Sequence, residues 1–176
     1  VLYSTILISS ALYLFFISIV DLKNENLKLS QKISHSAFSI LIISIILNSL
    51  FSEEVSVNLK KGEEKKLSNY ILKFENVSKM EIDNFTSLKA EIHIIQNNKK
   101  LKFYPELRLY KVPETITSEA DIKTNLFNDN LVVVNYLKDN DYLNIRYQKK
   151  PFMLLIWLSA IMLAVGGLIG LKKNFK

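Results

Sequence analysis

Two histidines are the residues of this 176-residue chain best suited to acid–base or metal chemistry, and their settings differ. His35 lies near the start of an apolar run, Ile33 to Phe51, in the local setting Ser34-His35-Ser36-Ala37. An ionisable side chain in a membrane segment costs roughly a few kcal/mol unless it is neutral and partnered or close to the interface. Two readings stay open from this. A neutral imidazole can hold a metal, haem iron included, through one ring nitrogen while the other donates to a nearby acceptor. An interfacial histidine can instead reach the lipid headgroups. Ser39, one turn on, shares the face of His35 and is expected to bond the backbone. A single histidine supplies one axial ligand to a six-coordinate iron, so a second would come from elsewhere. His93 alternates with Ile92 and Ile94 and shares a strand face with Lys89 and Glu91, which reads as a solvated position.

Other chemistry is missing from the sequence. The absence of cysteine excludes disulfide staples, a Cys-x-x-Cys redox pair and the Cys-x-x-Cys-His attachment of c-type haem. No nucleophile–base pair and no cluster with metal-ligand spacing can be found, so no catalytic residue is assigned. The carboxylates are interspersed with lysine as on a solvated surface, and Glu106 with Arg108 reads as a structural pair.

The elements that position these residues follow from where charge is absent. Hydrophobic residues make up 49% of the chain and charged ones 23%, and the two kinds are segregated. Tyr3 to Val20, Ile33 to Phe51 and Pro151 to Leu171 carry no Asp, Glu, Lys or Arg. At 1.5 Å of rise per residue each run covers roughly 27 to 31 Å, the thickness of a hydrocarbon core. Three transmembrane helices are therefore expected: residues 1–20, 33–51 and 151–171. A cleaved signal peptide fits the first run poorly, because no basic segment precedes it and no small-residue cleavage pattern follows.

Of the net charge of +6, only +2 falls between Phe51 and Lys150, while the flanking segments carry +4. A nucleic-acid binder would concentrate basic residues in one patch, so that class is excluded. Lys23, Lys28 and Lys32 lie in the loop 21–32, and Lys172, Lys173 and Lys176 in the tail 172–176. Short basic segments stay cytoplasmic. The long segment 52–150 is then extracytoplasmic.

Within that segment, period-two alternation predicts strands. Val55, Val57 and Leu59 alternate before a turn at Gly62; Tyr70, Leu72 and Phe74 do the same, as do Leu88 to Ile94 and Leu143 to Tyr147. Leu131 to Val134 reads as a central strand, Asn97 to Lys100 as a hairpin turn and Tyr104-Pro105 as a break. Ile122, Leu126 and Phe127 fall at helical spacing behind a Thr117 or Ser118 cap, predicting a short helix over 118–127. About seven strands suit a small β-barrel or sandwich, with an OB-like barrel as a guess. In the third span, Ala160, Ala164 and Gly167 form a small-residue face suited to helix packing, and mid-span Trp157 suggests a helix buried among others.

In order along the chain, these features resemble the C-terminal portion of the CcmF family, haem lyase subunits of cytochrome c maturation. Lys150-Pro151-Phe152, Ile156-Trp157-Leu158 and Met162 to Leu168 are similar to that family's last span. Tyr104-Pro105-Glu106-Leu107-Arg108-Leu109-Tyr110 is similar to its Pro-Glu-Lys-Arg-x-Tyr strand. Thr117 to Ile122 is similar to its Thr-Glu-Ala-Ala-Ile segment, and Gly62-Glu63 and Asn84-Phe85-Thr86 fall where it has Gly-Glu and Asn-Tyr-Thr. The chain departs from the pattern at Leu154-Leu155, where Arg-Trp is usual, and at Asn128-Asp129, where Arg-Asp is usual. The Trp-rich motif of the family lies upstream of this portion, which implies a fragment or a split-gene product.

The resemblance carries an implied function. A family histidine in an Ala-His-x-Gly setting, on the span before the outer domain, is an axial ligand of a membrane b-type haem, and His35 falls there, with Ala37 in place of the glycine. The implied role is assisting haem delivery and ligation to apocytochrome c, with haem b as cofactor. The implied partners are the remaining CcmF-type spans or subunit, a haem chaperone, apocytochrome c and its thiol-handling factors. The implied site is a bacterial inner membrane or a mitochondrial inner membrane. A different class is a non-catalytic membrane-anchored assembly or sensor module whose outer β domain binds a partner protein.

Overall fold

The computed structural model describes residues 2–67, 69–96, 99–136 and 142–172. The expected Asn97-Asn98 turn and the lysines at 173 and 176 lie outside them. The chain divides into two compact units: residues 1–52, 125–128 and 150–176 form one, and 53–124 with 129–149 the other.

The first unit holds three helices, α1 (Leu2–Lys23), α2 (Leu29–Phe51) and α3 (Met153–Lys172). All three are long and apolar enough to cross a membrane, with mean hydropathies of 2.0, 1.8 and 2.4, and the protein is a multi-pass membrane protein. Helix formation runs past the charge-free stretches, since α1 continues through Asp21 and α2 begins at Leu29, leaving a five-residue loop. The N-terminus of α2 is tied off when the Lys28 backbone N–H donates to Gln31 Oε1 at 3.1 Å, satisfying a terminal group that has no partner in the helix. Short loops make neighbouring helices antiparallel. Accordingly Ser18 and Ser39 hydrogen-bond between α1 and α2 at 2.8 Å, and Asn48 at the far end of α2 donates to the carbonyl of Pro151 just before α3.

The face of α3 that packs on α2 is Ser159, Gly166 and Gly170, corrected from Ala160, Ala164 and Gly167. Ser159 and Gly166 are buried, Ala160, Ala164 and Gly167 are exposed, and Gly170 lies against Ser30. A Cβ at 166 would intrude on Ser34 Oγ and crowd Ile33, whereas one at 167 would meet nothing. Both glycine sets have small-residue spacing, so the pattern alone does not choose the face. Trp157 is 62% exposed and thus looks outward from this unit, not into it.

The second unit is a β-sandwich. One sheet orders β1 (Glu53–Leu59), β10 (Leu143–Pro151), β9 (Asn128–Tyr136) and β8 (Asp121–Thr124). The other orders β2 (Glu64–Lys66), β3 (Ile71–Glu81), β4 (Phe85–Gln96), β6 (Glu106–Lys111) and β7 (Glu114–Glu119), with β5 (Lys99–Phe103) pairing with β4. The pairings are antiparallel, so alternate side chains of each strand point inward. Val57, Ile145, Tyr147, Val132 and Val134 from one sheet meet Leu72, Phe74, Ile92, Ile94, Phe103 and Leu107 from the other in one buried cluster. Gly62 makes the β1–β2 turn at φ 85, a conformation glycine adopts without Cβ cost.

Three expectations change. The described strands number ten, the extra ones being short. No ladder among the described residues joins the two sheets, so the OB-like barrel gives way to an open sandwich. The short helix over 118–127 is absent: β7 pairs Ile116 with Leu109 and Ser118 with Leu107, and β8 then pairs Asp121 with Val132 in the other sheet. Ala120 is where the chain changes sheets. Two partner strands offer ladders that a solitary amphipathic turn cannot match, so tertiary pairing overrides local spacing.

Candidate functional site

His35 stands two turns into α2, roughly 9 Å along the helix axis from Leu29. Its Nδ1 lies 2.8 Å from Asp21 Oδ2 in the last turn of α1. An ionised carboxylate only accepts, so the proton of that bond sits on Nδ1 and a neutral ring keeps its lone pair on Nε2. The ring is 54% exposed and the Asp21 side chain 19%. The imidazole is therefore anchored at one edge and open at the other.

The opening is a groove of about 440 Å³ contributed by all three helices, with apolar walls from Leu14, Ile17, Phe38 and Leu163. At its base Ser39 donates to the Ser36 carbonyl at 2.9 Å, as expected, and also meets Ser18, which holds α1 against α2 beside the histidine. Lys32 donates to the Leu22 carbonyl, closing the loop end of the same pair. An apolar groove with a single oriented nitrogen donor suits one axial bond to a flat, hydrophobic, metal-bearing ring. The residues present fit one of the two axial positions of a six-coordinate haem iron, and no group of three or more His, Cys, Asp or Glu that could hold a metal ion occurs among the described residues.

Asp21 is the residue that sequence reasoning missed. By sequence it is only the first residue of the loop 21–32. The signal was available in the hairpin: α1 and α2 run antiparallel about residues 24–28, which brings Asp21 in the last turn of α1 within reach of His35 two turns into α2.

His93 turns out differently from the solvated strand position expected of it. The ring is only 5% exposed, with Nδ1 2.8 Å from Glu75 and Nε2 2.9 Å from Glu91. The register of β3 on β4 shifts between Phe74 and Asn76, and this bulge aims Glu75 at the ring. Flanking β3 and β5 then cover a face that is polar but not wet. Glu75 is held below the ordinary carboxylate range by its hydrogen bond to Lys73, and to a lesser degree by His93. Both ring nitrogens are engaged, which leaves neither open to a metal.

Several other polar groups of the sandwich are paired as well. Glu106 meets Lys89 at 3.4 Å and Arg108 at 3.3 Å, the structural pairing expected, and although burial raises its pKa those two cations bring it below the usual range. Tyr147 donates to Asn130 at 2.9 Å from inside the core, and burial, with the Glu53 charge behind it, pushes its phenol up to about 12. Tyr70 donates to Glu53 and is raised further still by burial and that bond. These groups stabilise the sandwich and present no open chemistry.

Known proteins resemble the chain in both sequence and fold. The family model described as the CcmF C-terminal beta-sandwich matches residues 50–151. The cytochrome c-type biogenesis protein CcmF of Pseudomonas aeruginosa is 27% identical over 148 residues, covering 83% of this chain and 22% of that protein. CcmF of Pseudomonas fluorescens is 30% identical over 140 residues, 79% of this chain and 21% of that one. CcmF of Haemophilus influenzae is 28% identical over 157 residues, 88% and 24%. The chain thus spans under a quarter of the length of these relatives. A solved structure titled Cytochrome c Heme Lyase CcmF superposes with a TM-score of 0.63 at 13% identity, over 79% of this chain and 23% of that one, and so shares the fold. The matched stretch takes in every strand of the sandwich, and the chain belongs to the CcmF family, of which it carries the C-terminal portion.

Proposed function

We propose that the chain serves cytochrome c maturation as the C-terminal part of a CcmF-type haem lyase component, with His35 as one axial ligand of a membrane b-type haem. The observation that carries this reading is the Asp21–His35 hydrogen bond, which leaves Nε2 free in an apolar groove. A bound haem would supply one-electron transfer. The residues of the chain do the rest: His35 offers Nε2, Asp21 fixes the tautomer, Leu14, Ile17, Phe38 and Leu163 keep water from the ring, and the Ser18–Ser39 bond sets the spacing of the helices.

The second ligand belongs to the remaining CcmF-type spans or subunit. Haem comes from a haem chaperone, and the acceptor is apocytochrome c with its thiol-handling factors, which agrees with the lack of cysteine here. Lysines cluster at the α1–α2 loop, so the sandwich belongs on the outer side of a bacterial or mitochondrial inner membrane. The test is the absorption spectrum of the purified protein with its companion subunits. His35→Ala is expected to abolish the b-type band while the circular dichroism of the sandwich is unchanged; a band of wild-type intensity in that variant overturns the reading. A second reading, an assembly module that binds a partner through the sandwich, draws on the engagement of the described charged clusters there in structural pairs. Capture of apocytochrome that is indifferent to His35 favours it.

A further inference from the structure

We infer that the turn 125–128 is a membrane anchor, with Leu126 and Phe127 seated in the lipid at the boundary of headgroups and acyl chains. This turn links β8 to β9, yet it belongs to the same compact unit as the three spans. It is fastened to them by the Phe152 N–H, which donates to the Phe127 carbonyl at 2.8 Å, one residue before α3 begins. Phe152 itself has φ 61, unusual for a bulky residue, and this bond helps hold it where the chain turns into the span. The turn therefore sits at the level where the span enters the bilayer.

Leu126 and Phe127 are 72% and 69% exposed, among the most exposed large apolar side chains of the described residues. Water would leave them unfavourably placed, and a water-exposed loop has no need to satisfy its own backbone. This one does. Asn125 N–H donates to the Asn128 carbonyl at 2.9 Å, and the N–H groups of Phe127 and Asn128 both donate to Asn125 Oδ1 at 2.9 Å. With the Phe127 carbonyl also taken, most backbone polar groups of 125–128 are bonded within the protein, which lowers the cost of seating the tip at the headgroup boundary, where water still reaches the remainder. Leu50 and Phe51, 54% and 59% exposed, close α2 at the same end, where Asn48 reaches the Pro151 carbonyl. Apolar and aromatic side chains thus continue the lipid-facing surface of the spans up to the interface. The anchor is independent of haem binding.

Because the chain has no cysteine, Leu126→Cys and Phe127→Cys each take a single nitroxide label. The labelled chain is purified with whatever subunits accompany it and held in phosphatidylcholine nanodiscs, with Glu25→Cys in the α1–α2 loop as the aqueous reference. Collisional relaxation by oxygen, which partitions into lipid, is compared with relaxation by a water-soluble nickel chelate. The anchor gives a several-fold higher ratio of oxygen to nickel collisions at 126 and 127 than at 25. A nickel-dominated ratio like that of the reference places the tip in water and overturns it. Low collision rates with both agents mean that another protein segment covers the tip, and overturn it equally. Should one variant lose the dichroism of the sandwich, the other reads the same boundary one residue away.

Discussion

At the scale of single residues, the question at His35 is what fixes the ring. A histidine that ligates a metal is oriented by whatever accepts from its other nitrogen, and loss of such an acceptor typically costs about 10–100-fold in affinity. Asp21 fills that place at 2.8 Å. On the proposed haem ligation by His35, Asp21→Ala is therefore expected to weaken haem retention by about 10–100-fold, read by haem titration of the purified protein. Asp21→Asn keeps an acceptor oxygen but loses the charge, so it retains more haem than the alanine variant. Equal retention in wild type and both variants would show that Asp21 does not position the ring. His93 is instructive by contrast. Both histidines lie beside carboxylates, but at His93 two carboxylates take both nitrogens and at His35 one takes only one.

At the scale of elements, the contact of α2 with α3 decides how close the groove walls stand. Ser34, next to His35, lies directly against Gly166. Gly166→Ala forces a methyl into that contact, and overpacking of this kind costs typically about 1–3 kcal/mol. Gly167→Ala points into open space and gains up to about 1 kcal/mol from helix propensity. Thermal unfolding in detergent is expected to rank Gly167→Ala at or above wild type and Gly166→Ala below it; the reverse order would place the wrong face of α3 on α2. The spans themselves were legible, since about twenty uncharged apolar residues have few alternatives to a membrane helix. Strands with clean alternation, such as Val55 to Leu59 and Leu143 to Tyr147, were legible for the same kind of reason. Ser118 to Phe127 was not, because its helical spacing competes with ladders that β7 forms with β6 and β8 forms with β9, in two different sheets.

For the whole molecule, lysines gathered at one end of the helices set the orientation that the proposal requires. Single cysteines at Glu25 and at Lys65 of β2 are expected to label from opposite sides with an impermeant maleimide in sealed membrane vesicles: position 65 from outside, position 25 only after permeabilisation. Labelling of both from one side would refute the assigned topology. Sequence by itself determined the number of spans, the strand-rich character of the segment between the second and third, and the single histidine in a span, because hydrophobicity and its period are properties of neighbouring residues. Only the tertiary structure decided that Asp21 meets His35, that Gly166 and not Gly167 faces α2, that His93 is enclosed by Glu75 and Glu91, and that 114–124 is shared between two sheets. Each of these depends on how one element is registered against its neighbours, and a one-dimensional period carries no record of that.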